Sequence, residues 1–305
     1  MKKALIIGFG SAGQNHNKIL NKLSVKTFIY SRRKLDDKIS FPSLEGALKT
    51  VNPDYVVIAN ETSEHLKTLN VIKNFDVKKV LVEKPLFQNF YNNLSLNKKR
   101  IFVGYNLRFH PLLIKLKREL KGQKVLSAEV NVGSFLPDWR KNQNYKKNYS
   151  IDYSKGGGVL RDLSHEIDYL LWIFGPAIEL VSLGGHYSTL FGDSDDVFKL
   201  LIKMKRGSIA SIHLDYLNRI HKRMITVVTN NNSYIVDLVK NTFYSNSAKN
   251  ITLNNFDISK TYYDQHHDII FKNSQKACSF GEGIDILKFI EAAEKSNQGK
   301  TWVKV

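Results

Sequence analysis

The chain has 305 residues, enough for two ordinary domains that each bury a core. With 42% hydrophobic residues, 24% charged residues and only 6 prolines, it is neither a disordered nor a fibrous sequence. Its one cysteine, Cys278, excludes an intrachain disulfide and suits a reducing compartment, and its formal net charge is +18. That charge fits a nucleic-acid surface, an attraction for small phosphorylated or carboxylated ligands, or lysine-rich solvated faces. The lysines are scattered in ones and twos, without a dense tract or a zinc or helix-turn-helix signature. The solvated-face reading therefore leads, small anions come next, and nucleic acid is set aside.

Met1-Lys2-Lys3 and the apolar run Ala4–Ile7 open the chain. The run is too short for the apolar core of a signal peptide and leads straight into a glycine turn, so secretion is rejected. No stretch reaches the roughly 18 apolar residues of a membrane span, since the best, from Tyr169, is broken by Pro176 and Glu179. A soluble, cytoplasmic protein is expected.

Short β-branched runs at Ala4–Ile7, Thr27–Tyr30, Tyr55–Ala59, Val80–Val82 and Ile101–Val103 read as strands. Helix-permissive stretches separate them at Ala12–Leu23, Leu44–Val51, Ser63–Asn74 and Phe90–Asn97. Strands that alternate with helices and lack their own polar alternation predict a parallel, doubly wound sheet of Rossmann type. The first turn, Gly8-Phe9-Gly10-Ser11-Ala12-Gly13, is G-x-G-x-x-G between a strand and a helix. Gly8 permits the tight turn, Gly10 lets the backbone approach a pyrophosphate, and Gly13 lets the helix pack on the strand. The competing reading is a purely structural turn. The second strand ends Tyr30-Ser31-Arg32-Arg33, with no acid until Asp36. A hydroxyl and two guanidinium groups suit a ribose 2′-phosphate, so NADP is preferred to NAD. If both arginines face solvent, either cofactor binds. The fourth strand leads into Glu83-Lys84-Pro85, in the zone where such sheets bind ligands. Lys84 is expected beside the nicotinamide, with Pro85 as a place where a cis bond would set its direction; otherwise Lys84 is a surface lysine.

After about residue 120 the runs lengthen and some alternate: Val125–Val132, Phe198–Met204, Ser208–Leu214, Met224–Val228 and Ser233–Leu238. They predict a mostly antiparallel sheet open on one face. Residues 133–158 read as a loop and residues 159–174 as a helix opened by Gly156-Gly157-Gly158. A last helix is expected near Ile284–Lys295 and a short strand at Thr301–Val305. The expected division is a Rossmann domain at 1–118 and an α+β domain at 119–305, the C-terminal helix packing back on the first. Asp162, His165 and Asp168 recur every three residues on an otherwise apolar helix. His165 is then a satisfied core residue, an oriented base, or a metal ligand. Without H-E-x-x-H or a partner cluster no metal site is assigned.

Gly8, Gly10, Gly13 and His16, then Glu83-Lys84-Pro85, then the glycine run with Asp and His on the following helix resemble the glucose–fructose oxidoreductase/inositol dehydrogenase (Gfo/Idh/MocA) family. The resemblance spans the chain, including Val103-Gly104-Tyr105-Asn106. It implies a Rossmann domain, an α/β domain whose open sheet joins a homodimer or homotetramer, and redox chemistry on sugars, cyclitols and related alcohols. Lys84 would hydrogen-bond the reacting hydroxyl, His165 would take its proton, and Asp162 would align the site. Many members space that Asp and His by four residues rather than three, so Asp162 is the weaker assignment and Asp168 is read as a structural partner. Asn60, Thr62, His65 and Glu83 would join the cofactor contacts, Glu61 standing where the family usually has proline. The loop from Leu136 through Trp139 and Arg140 to Tyr149 resembles a branch linked to bacterial surface sugars. Trp139, Arg140 and Tyr149 would stack on and clasp a sugar, and Asn106 and Arg108 would line the cleft. The alternative for that loop is a packed surface segment. The expected activity is hydride transfer between NAD(P) and a sugar, nucleotide sugar or sugar acid. The alternatives are a relative that uses NAD transiently to cleave or dehydrate a glycoside, and a non-catalytic NAD(P) sensor.

Overall fold

The computed structural model of the chain describes residues 1–32, 41–139, 144–272 and 274–305. It divides into two compact units, one of Met1–Phe109 with Asp257–Asp285, the other of His110–Phe256 with Ile286–Val305. A single cut at 118/119 therefore does not describe the chain path, because a segment near the C-terminus returns to the first unit.

The first unit is built on β1 (Lys3–Ile7), β2 (Lys26–Tyr30), β3 (Tyr55–Ile58), β4 (Lys79–Val82) and β5 (Ile101–Val103). They are parallel in the order β5-β4-β3-β1-β2, and a two-residue strand, Cys278–Ser279, pairs antiparallel to β5. Ala4 to Ile7 and all of β3 are buried, which explains their lack of polar alternation. Strand order reverses between β1 and β3, so the crevice beyond their carboxyl ends is the expected ligand position. The helices are α1 (Ser11–Lys22), α2 (Leu44–Val51), α3 (His65–Ile72) and the returning helix Ser259–Phe271. Ser43 caps α2 by accepting the Gly46 N–H at 3.0 Å, and Asn52, at φ 44°, ends it. Residues 90–97 are not helical as expected. Asn93 sits at φ 56°, which a continuing right-handed helix forbids.

The second unit holds α4 (Pro111–Glu119), α5 (Val159–Asp162), α6 (Ser164–Phe174) and a large sheet. Its strands are β6 (Val125–Gly133), β7 (Ala177–Gly185), β8 (Val197–Met204), β9 (Ile209–Asp215), β10 (Lys222–Thr229), β11 (Ser233–Asp237) and β12 (Thr242–Ser245). With the short strands Ile251–Thr252 and Val303–Lys304 it has nine strands among the described residues, all antiparallel except for β6 with β9. Strand β8 shows the half-covered pattern plainly, with Phe198, Leu200, Ile202 and Met204 buried and Lys199, Leu201 and Lys203 exposed. The last helix, Phe280–Gly299, starts in the first unit and ends in the second. There Ser182 donates to the Ala293 carbonyl at 2.6 Å and Gly184 N–H to Asn297 at 3.0 Å, tying the helix to β7.

Candidate functional site

The glycine turn separates into two kinds of position. Gly8 has φ +91°, and a Cβ there would lie 2.6 Å from the Ala59 carbonyl oxygen. A Cβ on Gly13 would lie 2.1 Å from the Gly8 carbonyl oxygen. Both must be glycine for the turn to close on β3 and on itself. Among the described residues a Cβ on Gly10 would meet nothing within 4 Å, so none of them demands glycine there. Gly10 also caps α1, whose first turn has no acidic residue and whose end has no side-chain cap. A helix start of this kind directs N–H groups and positive dipole at an anion. Phe9 and Ala12 are half-buried beside it and Ser11 is exposed. Next to Gly8, Asn60 donates to Thr68 Oγ1 at 2.9 Å, while its buried Oδ1 has no hydrogen-bond partner among the described residues. An acceptor of that kind fits a ligand hydroxyl or amide. The residues present thus fit a dinucleotide: an open glycine, an uncapped helix end and one unused acceptor.

At the end of β2, Ser31 is half-buried, and the exposed Arg32 guanidinium lies 3.8 Å from the Glu61 carboxylate. Arg33 lies outside the described residues. Thr62 is buried in a short 3₁₀ turn before α3. His65, 1% exposed, contacts the carbonyls of Pro85 and Leu86 at 3.2 and 3.1 Å and that of Asn60 at 3.3 Å. It ties the loop after β3 to the loop after β4. Burial pulls its imidazole below the usual range, against the pull of those carbonyls.

Lys84 follows β4, half-buried, with a cis bond to Pro85. Glu83, expected at the cofactor, turns its carboxylate inward. Oε1 lies 2.7 Å from His16 Nε2, and Oε2 accepts the Lys84 N–H at 3.0 Å. Burial would raise this carboxyl, but the hydrogen bond from His16, with the Lys84 N–H and charge, takes it below the usual range. His16 Nδ1 lies 2.8 Å from His266 Nε2, and His266 Nδ1 lies 3.0 Å from the Tyr55 hydroxyl. Asn106 and Arg108 are also held inside the first unit. Asn106, 2% exposed, donates to Thr261 Oγ1 at 2.6 Å, and Arg108, 3% exposed, pairs with Glu282 at 2.6 Å.

In the second unit Asp162, Tyr149 and Trp139 come together through Tyr216, which the sequence reading missed. Tyr149 and Tyr216 donate to the two Asp162 carboxylate oxygens at 2.8 and 2.7 Å. Trp139 packs edge-on against Tyr216 at 5.2 Å and donates to Ser134 at 2.7 Å. Arg140 lies outside the described residues. The expected single helix over 159–174 is broken at Leu163, whose ψ of 27° ends α5 at Asp162. His165, half-buried, therefore sits in the first turn of a new helix, α6, with buried Ser164 before it. Asp168 is fully buried, and Glu166 is held by Arg223 at 2.7 Å. Because a hydrogen bond to a charged acceptor is worth about 1.5–3 kcal/mol, Tyr216→Phe should lower stability by about that much in chemical denaturation. An unchanged midpoint would mean the phenol does not hold Asp162.

Asp195 explains Gly158. A Cβ at Gly158 would lie 2.2 Å from Asp195 Oδ1, and Asp195 Oδ2 accepts the Leu160 N–H that opens α5. Burial pushes this carboxyl up to about 6, against the Leu160 N–H and the Arg161 charge. The folded chain therefore keeps a proton that the unfolded chain releases near 3.8. Stability is full below that value and falls as pH rises to about 6, by about 2 kcal/mol after allowance for partial exposure. Asp195→Asn should flatten the dependence of Tm on pH across this window, and retention of the full slope would assign it elsewhere.

An open hollow of about 730 Å³ is lined by residues of 146–155 and 189–193, Lys146, Lys147, Lys155 and Phe191 among them. Among the described residues no cluster of three or more His, Cys, Asp or Glu is placed to hold a metal, and no helix is long and apolar enough to cross a membrane.

Residues 124–235 match the GFO/IDH/MocA C-terminal domain. An uncharacterized oxidoreductase of Synechocystis sp. is 33% identical over 113 residues, 34% of this chain and 30% of that protein. Levoglucosan dehydrogenase in complex with NADH superposes with a TM-score of 0.85 at 15% identity, covering 100% of this chain and 99% of that one. The inositol dehydrogenase homolog of Azotobacter vinelandii complexed with NAD+ gives 0.85 at 11% identity, covering 100% and 97%. The WlbA dehydrogenase of Bordetella pertussis, in complex with NADH and UDP-GlcNAcA, gives 0.80 at 15% identity, covering 100% and 97%. The fold is that of these dehydrogenases.

Proposed function

We propose that this chain, whose second unit carries the GFO/IDH/MocA C-terminal domain, is a nicotinamide-dependent oxidoreductase. It interconverts a hydroxyl and a keto carbon on a sugar, nucleotide sugar or sugar acid. The observation that carries this reading is the open position at Gly10 between two glycines that backbone contacts close. Bound nicotinamide supplies the hydride acceptor or donor. Backbone N–H groups of the Gly8–Gly13 turn bind the pyrophosphate, and Asn60 Oδ1 accepts a hydrogen bond from the cofactor. Ser31, Arg32 and Arg33 favour NADP, and Glu61, within reach of Arg32, competes for the same guanidinium.

Lys84 donates a hydrogen bond to the reacting oxygen. His165 takes the hydroxyl proton in oxidation and returns it in reduction, since imidazole titrates near neutral pH. Asp162, clamped by two phenols, serves as a fixed anchor beside Tyr149 and Trp139, which bind the sugar. Lys146 and Lys147 suit an acidic or phosphorylated group on it. The uncovered face of the large sheet, with Leu183 65%, Ile209 58% and Leu201 44% exposed, joins copies of the chain into a homo-oligomer, which light scattering measures. The lone buried thiol of Cys278 suits a reducing cytoplasm.

A thermal-shift panel with NAD, NADP, sugars, nucleotide sugars and sugar acids tests the proposal. Either dinucleotide at 100 times its Kd should add about 2.7 kcal/mol of stability. The stabilising sugar should then change absorbance at the reduced-nicotinamide band. Sugar consumption without that change would indicate transient use of NAD, and no shift with either dinucleotide would sink the reading.

A further inference from the structure

The first unit buries a chain of polar side chains that the proposed chemistry does not use directly. Tyr55 is 2% exposed, and His16 and His266 are 0% exposed. Groups this deep must be hydrogen-bonded to one another, and their donors and acceptors can be counted. Lys84 N–H and His16 both bond the Glu83 carboxylate, so His16 Nε2 carries hydrogen. His16 Nδ1 faces His266 Nε2, and His266 Nδ1 faces the phenol. With both imidazoles neutral, every group is matched in one direction: Tyr55 O–H to His266 Nδ1, His266 Nε2–H to His16 Nδ1, His16 Nε2–H to Glu83. If His16 were an imidazolium, His266 would donate to the phenol oxygen, and the phenol hydrogen would lose its place in the chain. The matched arrangement is the one the burial favours.

The chain of bonds ends at a buried phenol, so it offers a proton no exit to water. Its free end acts on Glu83. A Cβ on Gly104 would lie 3.1 Å from Glu83 Oε2 and 3.2 Å from Glu83 Cα, so the carboxylate packs closely against Gly104, just past the end of β5. Both of its oxygens are then committed, one to His16 and one to the main chain of Lys84. His266 packs edge-on against His16 at 5.0 Å and against Tyr55 at 5.7 Å, which fixes the ring that joins them.

The geometry points to His266 as a positioning residue for Lys84: held by Tyr55, it fixes His16 as the Nε2–H donor to Glu83, and Glu83 fixes the Lys84 main chain. The inference rests on the proposed role of Lys84, but its test needs neither cofactor nor turnover.

The chain free of cofactor is labelled at histidine with 15N, and the tautomers of His16 and His266 are read by long-range correlation spectra at neutral pH. In parallel, acetylation of Lys84 is timed by mass spectrometry for the wild type, His266→Phe, His266→Gln and Tyr55→Phe. Both histidines should be neutral Nε2–H tautomers in the wild type. His266→Phe keeps the ring shape and removes both nitrogens. It should give His16 mixed tautomers and speed Lys84 acetylation by about threefold or more. His266→Gln offers one donor and one acceptor, and should restore most of the wild-type rate. A cationic or Nδ1–H His16 in the wild type overturns the inference, as does a wild-type acetylation rate in His266→Phe. If His266→Phe does not fold, Tyr55→Phe decides: a changed His266 tautomer with faster acetylation supports the inference, and an unchanged spectrum overturns it. A chain that behaves as expected here but binds no dinucleotide would fail as an oxidoreductase and still keep this network.

Discussion

Replacing His165 with alanine is expected to lower turnover about 10²- to 10⁴-fold while leaving dinucleotide affinity within about twofold of the wild type. The first number is the usual worth of a positioned general base. The second follows from where the groups sit, because the Gly8–Gly13 turn and Asn60 belong to the first unit and His165 to the second. The side chain is half-buried, so its removal leaves no large cavity, and Ser164 and Glu166 keep their burial and, for Glu166, its pair with Arg223. Affinity is read by titrating dinucleotide fluorescence and turnover by nicotinamide absorbance on the same preparation. Near-normal turnover would remove His165 as the base. Loss of affinity together with activity would mean that the substitution disturbed more than a proton acceptor.

Elements specified by a few adjacent residues were legible in the sequence. The five parallel strands, the glycine turn and Lys84 after β4 all depend on short local patterns. The stretch 90–97 misled because its composition permits a helix while Asn93 adopts a positive φ. The break at Leu163 was missed because Ser164, a residue type that often caps a helix, lies inside the new helix with Leu163 at its cap and no side-chain cap bond. The helix Ser259–Phe271 escaped because the face it buries is mostly polar: Thr261, Gln265, His266 and Asp268 outnumber Ile269 and leave no apolar stripe to count. Its partners are remote, His16 and His266 lying 250 positions apart. Tyr216 is likewise 54 positions from the carboxylate it holds. Side chains that act through such pairings carry no spacing signal, whereas G-x-G-x-x-G carries its own.

The two kinds of glycine in that turn give the sharper test of cofactor binding. Gly13→Ala should destabilise the chain, because the new methyl carbon would lie 2.1 Å from the Gly8 carbonyl oxygen and backbone must move to admit it. Its loss of binding would thus accompany a loss of structure and prove little. Gly10→Ser is different. The position has extended backbone (φ −73°, ψ −167°) at the helix cap, where serine is a preferred residue, and a Cβ there meets no atom of the described residues within 4 Å. Tm should stay within about 2 °C of the wild type, or rise slightly through the new cap. Dinucleotide affinity should nevertheless fall by about 100-fold, since a hydroxymethyl group would occupy the space through which the backbone approaches the pyrophosphate and displace its N–H donors. Calorimetric titration with NAD and NADP against a Tm measured on the same sample separates the two effects. If Gly10→Ser keeps both stability and affinity, the open position is not where the phosphates lie, and the turn is a structural one.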